Sequence, residues 1–341
     1  MGTTTSAALF KKSKFKARRF LGGGHIQTIA SFLLPRQIAL SKPEERLIEV
    51  DPGIHVLCHC HWQSDRQAAL TVIVVHGLEG STESNYMRGV AEKGLAAGMN
   101  VVRMNQRTCG GTDHLAPTLY HSGRSGDVMA VANAFIKDDG ISRFVLCGFS
   151  MGGNIVLKTA GEWGGGGPHE FCAVAAVCPA MDLAASADAL HLPANRLYEQ
   201  YFLWKLKTRM RNKVRCFPGQ YDPTRLRGLK SLRDFDDKVT AYYSGFDGAS
   251  DYYARAAAAN VMDKIAVPAY ILYARNDPFI RVTPETRRKV ESNPNITFVE
   301  TEDGGHCSFI GEPDGYDGHF AERAIVDFFS SVERTKNIVE T

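Results

Sequence analysis

Apolar residues gather along the chain in short strand-like runs separated by stretches of helical spacing. Residues 70–75 form a near-continuous apolar run, the pattern of a strand buried on both faces of a parallel sheet. Strand-like segments recur at 100–104, 144–148, 173–178, 269–274 and 296–300. Between and after them the spacing predicts helices over about 84–97, 126–137, 154–160 and 320–334. Ahead of all these, 46–50 and 54–62 flank the turn Asp51-Pro52-Gly53 and predict an antiparallel hairpin. Strand alternating with helix predicts an α/β fold with a mostly parallel, doubly wound sheet.

The alternation is interrupted once. From about 182 to 261 the chain is mostly helical, aromatic and basic, with Tyr198, Tyr201, Phe202 and Trp204 followed by Lys205, Lys207, Arg209, Arg211, Lys213 and Arg215. An insertion of that length between two strands predicts a helical cap over the C-terminal edge of the sheet, where such sheets bind ligands. The expected plan is therefore one α/β domain over 44–341 carrying a cap at about 182–261, preceded by a basic arm and entry segment at 1–43.

Charge adds one asymmetry to this plan. The formal net charge is +3, yet residues 1–43 hold eight Lys and Arg and no acid, which leaves 32 basic against 37 acidic residues in the remainder. A mildly acidic body carries no nucleic-acid footprint. The basic arm, with Phe10, Phe15 and Phe20 among its lysines, raises peripheral contact with an anionic membrane as an expectation, although a solvated arm is the commoner outcome. Met1-Gly2 followed by Ser6 formally fits a myristoylation signal. Arg18-Arg19 is followed by glycines rather than an apolar core, so no cleaved signal is read, and the apolar patch at 26–34 is too short to span a bilayer. The eight cysteines contain no Cys-x-x-Cys pair and suit free thiols in a reducing, cytoplasmic setting. In Cys58-His59-Cys60-His61 the strand alternation sets the cysteines on one face and the histidines on the other, which argues against a zinc tetrahedron.

The densest chemistry lies at Gly148-Phe149-Ser150-Met151-Gly152-Gly153-Asn154. A strand, a Gly-x-Ser-x-Gly turn (the elbow) and a helix in succession would present Ser150 as a nucleophile at the sheet edge, and the amide of Met151 at the helix N-terminus would serve as one oxyanion donor. A serine hydroxyl needs a base, and the base an orienting carboxylate. Asp277, just past the strand at 269–274, and His306, just past the last strand, fall where this architecture places them, with Asp182 as a rival acid. The loop His76-Gly77-Leu78 would supply the second oxyanion donor through the amide of Leu78, with His76 ordering the loop.

With these residues in place, the chain resembles the α/β-hydrolase fold and, within it, the YheT/EMB8-like (ABHD1/ABHD3-type) esterase group, which also takes in yeast medium-chain ester synthases. Six further segments carry the resemblance besides the elbow: Gly24-His25-Ile26-Gln27-Thr28, His76-Gly77-Leu78-Glu79-Gly80-Ser81, Asn105-Gln106-Arg107-Thr108-Cys109-Gly110-Gly111, Phe235-Asp236, Ala274-Arg275-Asn276-Asp277-Pro278 and Gly305-His306. The resemblance implies a Ser150, Asp277, His306 triad acting on carboxylic esters. The expectation is a serine carboxylesterase for short- to medium-chain acyl esters, with a small-molecule substrate, no organic cofactor and no metal. An alcohol or thiol acyltransferase using the same triad is the alternative, and a non-catalytic binding module the third reading.

Overall fold

The expected strands assemble into one sheet. In the computed structural model, which describes residues 15–339, β1 (Glu44–Asp51), β2 (Ile54–His61), β3 (Thr71–Val75), β4 (Asn100–Met104), β5 (Phe144–Phe149), β6 (Phe171–Val177), β7 (Ala269–Ala274) and β8 (Ile296–Thr301) lie in the order β1-β2-β4-β3-β5-β6-β7-β8. β1 pairs with β2 and β2 with β4 in antiparallel fashion, and all other neighbours are parallel. Every residue of β3 to β7 is buried, because helices cover both faces of the parallel part. β8 closes the edge and buries only Val299 and Thr301.

Two helical layers flank the sheet. α2 (Asn85–Ala96) packs with the closing helix α9 (Phe320–Val339), and α3 (Ser125–Asp139) packs with α4 (Met151–Trp163), the helix that follows the elbow. In Cys58 to His61 the alternation holds, with both thiols buried and His61 turned instead to Arg103 and Ser41.

Between β6 and β7 the chain leaves the sheet for α5 (Leu183–Leu190), α6 (Arg196–Cys216), the short helix Leu232–Phe235 with its π-helical continuation Asp236–Ala241, and α7 (Ala249–Ala256). α6 is amphipathic. Leu203, Leu206 and Met210 are buried, whereas Leu197, Tyr201 and Trp204 are exposed. α8 (Pro284–Ser292) then joins β7 to β8.

Part of the described arm is bound to the body rather than solvated. Ala17 bridges Gly311, the Arg18 amide donates to Ile310 O at 3.0 Å, and the Phe15 ring packs on Phe309 and Phe320 with centroids 5.5 and 5.4 Å away. Phe15 is thus an anchor into the body, while Phe20 stays exposed. The Gly2 signal, Phe10 and the lysines 11, 12 and 14 lie outside the described residues. The apolar patch that follows forms α1 (Gly24–Leu33). Gln27 is fully buried in it, donating to Leu21 O and Ile310 O and accepting from the Ile310 amide.

Candidate active site

Ser150 sits between β5 and α4 with φ 55° and ψ −119°, a left-handed conformation that a side-chain-bearing residue adopts only under constraint. The neighbouring glycines supply it. A Cβ on Gly148 would lie 2.3 Å from Gly152 O, and one on Gly152 would lie 2.3 Å from Val75 O and 2.5 Å from His76 O. Only bare backbone permits so tight a turn. The Ser150 amide donates to Val177 O at 2.9 Å, which pins the elbow to β6. Asn154 ties the next turn to the cap junction, donating to Ser122 O and Ala256 O and accepting from the Ala258 amide.

The acid and the imidazole expected from the sequence meet. Asp277 Oδ2 lies 2.8 Å from His306 Nδ1, while its Oδ1 accepts from the amides of Phe279 and Ile280 at 3.0 and 2.9 Å. Burial alone would raise the Asp277 carboxyl, but the adjoining imidazole and the two amides outweigh it and hold the carboxyl below its usual value. Burial alone would lower His306. The Asp277 carboxylate outweighs that, leaving the imidazole above its ordinary value. Asp182, the rival acid, is committed elsewhere, accepting from the Thr283 amide and from the hydroxyls of Thr283 and Thr286 at the start of α8.

One partner of His306 comes from the far end of the chain. Its amide donates to Thr28 Oγ1 at 2.8 Å, across 278 residues of sequence. α1 reaches this position through Gly24, where a Cβ would fall 1.8 Å from Asn276 O. Gly24 and Thr28 fall in one of the segments that carry the family resemblance, yet nothing local to either stretch of sequence signals their contact with the histidine loop.

The loop after β3 is fixed from three sides. His76 is fully buried, its Nε2 accepts from the Gln106 amide at 3.1 Å, and Nδ1 therefore carries the proton donated to Gly77 O at 2.8 Å. Burial pushes this imidazole down to about 4, so it stays neutral and orders the loop as expected. Tyr86 Oη accepts from the Gly77 amide at 3.0 Å. Glu79, at φ 56°, accepts from Tyr120 and from the guanidinium of Arg209 on the cap. Met151 begins α4, so its amide has no carbonyl within the helix to bond.

Ser150 borders two cavities. The inner one, about 120 Å³ and also lined by Leu78 and Met151, runs under the cap between Leu183, Leu190, Phe202, Leu206, Met210 and Ile280. The outer groove, about 630 Å³, is bordered by His306, Arg36, Lys205 and Asp317. His306 and Ser150 share this groove, although no hydrogen bond joins His306 Nε2 to Ser150 Oγ among the described residues. Such contacts commonly tighten only with substrate in place.

A family model described as the α/β hydrolase fold matches residues 71–313, and the chain belongs to that family, within the group that holds YheT, EMB8 and the ABHD-type proteins. The Escherichia coli protein YheT is 33% identical over 316 residues, covering 91% of each chain. The mouse phospholipase ABHD3 is 27% identical over 247 residues, covering 72% of this chain and 60% of its own. The medium-chain fatty acid ethyl ester synthase/esterase 2 of Saccharomyces cerevisiae is 25% identical over 288 residues, 77% of this chain and 62% of its own. Among solved structures, Est1E from Butyrivibrio proteoclasticus shares the fold with a TM-score of 0.54 at 18% identity, covering 86% of this chain and all of its own. The chain is thus an α/β hydrolase with relatives of esterase and lipase type.

Proposed function

We propose that the protein is a serine carboxylesterase that cleaves short- to medium-chain acyl esters through an acyl-enzyme. The observation that carries this reading is the Asp277–His306 pair at 2.8 Å, set on the rim of the groove that also holds the elbow serine. His306 Nε2 takes the Ser150 proton as Oγ attacks the ester carbonyl, and Asp277 holds the opposite ring nitrogen so that the imidazolium is stabilised. The amides of Leu78 and Met151 receive the oxyanion, each worth about 3–4 kcal/mol in the transition state. His306 then passes its proton to the departing alcohol, and water resolves the acyl-enzyme by the reverse exchange. The apolar inner cavity suits the acyl chain and the more polar outer groove the leaving group. Labelling with a fluorophosphonate, paired with hydrolysis of p-nitrophenyl esters from acetate to palmitate, tests the reading. Labelling and turnover should both vanish in Ser150→Ala, and a folded wild-type protein that neither labels nor turns over any ester would refute it. Ethanol added to the same assay distinguishes ester exchange, the activity for which the yeast ethyl ester synthase/esterase is named, from simple hydrolysis.

An exposed apolar rim favours a membrane-facing variant of this reading. Phe32 on α1, Leu34 just past its end and Tyr201 on α6 line the outer groove while remaining exposed, next to Arg18 and Lys205. Such a mouth, joined to the basic arm, fits an anionic lipid surface. No helix among the described residues is long and apolar enough to cross a membrane. Co-sedimentation with phosphatidylserine vesicles should fall when Phe32 and Tyr201 are changed to Ser, and equal binding by wild type and variant would remove the idea.

A further inference from the structure

Two thiols converge on His306, one of them beside Nε2, the ring nitrogen that Asp277 leaves free. Cys178 stands just past the end of β6 and is fully buried, while Cys307 follows the histidine and is partly exposed to the outer groove. Cys307 Sγ lies 3.9 Å from His306 Nε2, and the two sulfurs and a ring nitrogen of His306 are all within 4.8 Å of one another. Cys178 has φ 41° and Cys307 φ 60°, left-handed values that residues with a side chain seldom adopt, so both thiols stand on constrained backbone.

We propose that Cys178, Cys307 and His306 form a binding site for a thiophilic divalent cation such as Zn²⁺ or Cd²⁺, and that its occupation switches the enzyme off. The donor set is the one such ions select, two sulfurs and one imidazole. In a tetrahedral zinc site, metal–sulfur bonds of about 2.3 Å place two sulfurs roughly 3.8 Å apart, so the present cluster needs only a small contraction. Asp277 already grips Nδ1, which supplies the carboxylate–histidine–metal relay that orients ligating imidazoles. On binding, each thiol releases its proton to solvent, so two thiolates neutralise the dication and no net charge is buried. A water from the groove completes the coordination. The ion occupies the Nε2 lone pair that would accept the Ser150 proton, and hydrolysis stops until the ion is withdrawn.

The inhibitory half rests on the esterase reading, whereas the binding half stands on the three ligands alone. The full chain, stripped of metal by a chelator, is titrated with Zn²⁺ against a chromophoric chelator and with Cd²⁺ while its thiolate charge-transfer absorbance is followed; ester hydrolysis is measured in parallel. One ion per chain, a thiolate band, and inhibition that EDTA reverses are expected. Cys307→Ser should weaken binding and inhibition together by about tenfold or more, and Cys216→Ser, at the exposed cysteine on the cap, should change neither. Cys178→Ser repeats the test from the buried side; should it fail to fold, Cys307→Ser alone decides. Binding unchanged in Cys307→Ser, or no thiolate band at all, overturns the proposal. A band that follows the variants in a protein without esterase activity would uphold the site and sink the catalytic reading instead.

Discussion

Arg209 on the cap helix α6 grips Glu79 of the loop after β3 through two parallel contacts, Nε to Oε1 at 2.8 Å and Nη2 to Oε2 at 3.0 Å. Its remaining nitrogen donates to Thr108 O, and Tyr120 Oη adds a third donor to Glu79 at 2.6 Å. Both charged side chains are nearly buried, at 14% and 3% exposure. The fork therefore couples the position of the cap to the loop that presents the Leu78 amide. Removing the guanidinium leaves a carboxylate buried without its partner, an arrangement that typically costs about 3–5 kcal/mol. Arg209→Ala should lower the denaturation midpoint accordingly. Arg209→Lys keeps the charge but loses the fork, and should reduce kcat more than it raises KM. Unchanged kcat in the lysine variant would show that the cap and the loop are not coupled in this way.

The Asp277–His306 pair predicts the direction of the pH profile. Because the proposed base must be neutral, kcat/KM should rise with pH through the His306 titration, and the neighbouring Asp277 carboxylate shifts that acid limb upward from the ordinary histidine value. Asp277→Asn removes the cause of the rise. Its acid limb should move to lower pH while kcat falls by about 10³–10⁴-fold. A limb that stays in place would assign the titration to another group.

Thr28 should act as a positioning residue for His306. Thr28→Val removes the acceptor for the His306 amide, leaving a donor unsatisfied at a cost of about 1–3 kcal/mol. Thr28→Ser retains the oxygen. Fluorophosphonate labelling should slow in the valine variant and recover in the serine variant, with Ser150 untouched in both. Equal labelling rates across all three proteins would mean that the contact only stabilises the fold.

Asp236, beside the inner cavity, predicts a stability trend. It is held by the hydroxyls of Thr240 and Tyr253 at 2.8 and 2.7 Å, and burial pushes its carboxyl up from 3.8 to about 6. The folded protein thus holds this proton more tightly than the unfolded chain. The associated stability is complete below about pH 4 and is lost as pH rises through about 6, a change on the order of 3 kcal/mol. Asp236→Asn should flatten that part of the stability curve relative to wild type. Parallel curves from urea denaturation across this window would contradict it.

The order of strands along the chain and the strand–turn–helix at Ser150 were legible because each depends on neighbours in sequence, and the loops after the strands at 269–274 and 296–300 marked Asp277 and His306 as candidates by position alone. An apolar run such as Val72 to Val75 can be satisfied only by burial on both faces, and Gly148 and Gly152 are read as a sharp turn wherever a strand meets a helix. Position along the chain favours Asp277 over Asp182, and packing separates the two as well, since Asp277 meets His306 while Thr283 and Thr286 occupy the Asp182 carboxylate.

Tertiary structure alone decided the relations between distant segments: Phe15 turned into the body, Thr28 beneath His306, Arg209 on Glu79, and Cys178 beside Cys307. Composition and periodicity specify which face of an element seeks burial, but not which loop it will meet there. Those meetings depend on left-handed turns and on side chains reaching across the sheet edge. The sequence by itself therefore determined the scaffold and the chemical types at its edge, whereas three-dimensional packing determined how those groups are held and what else can reach them.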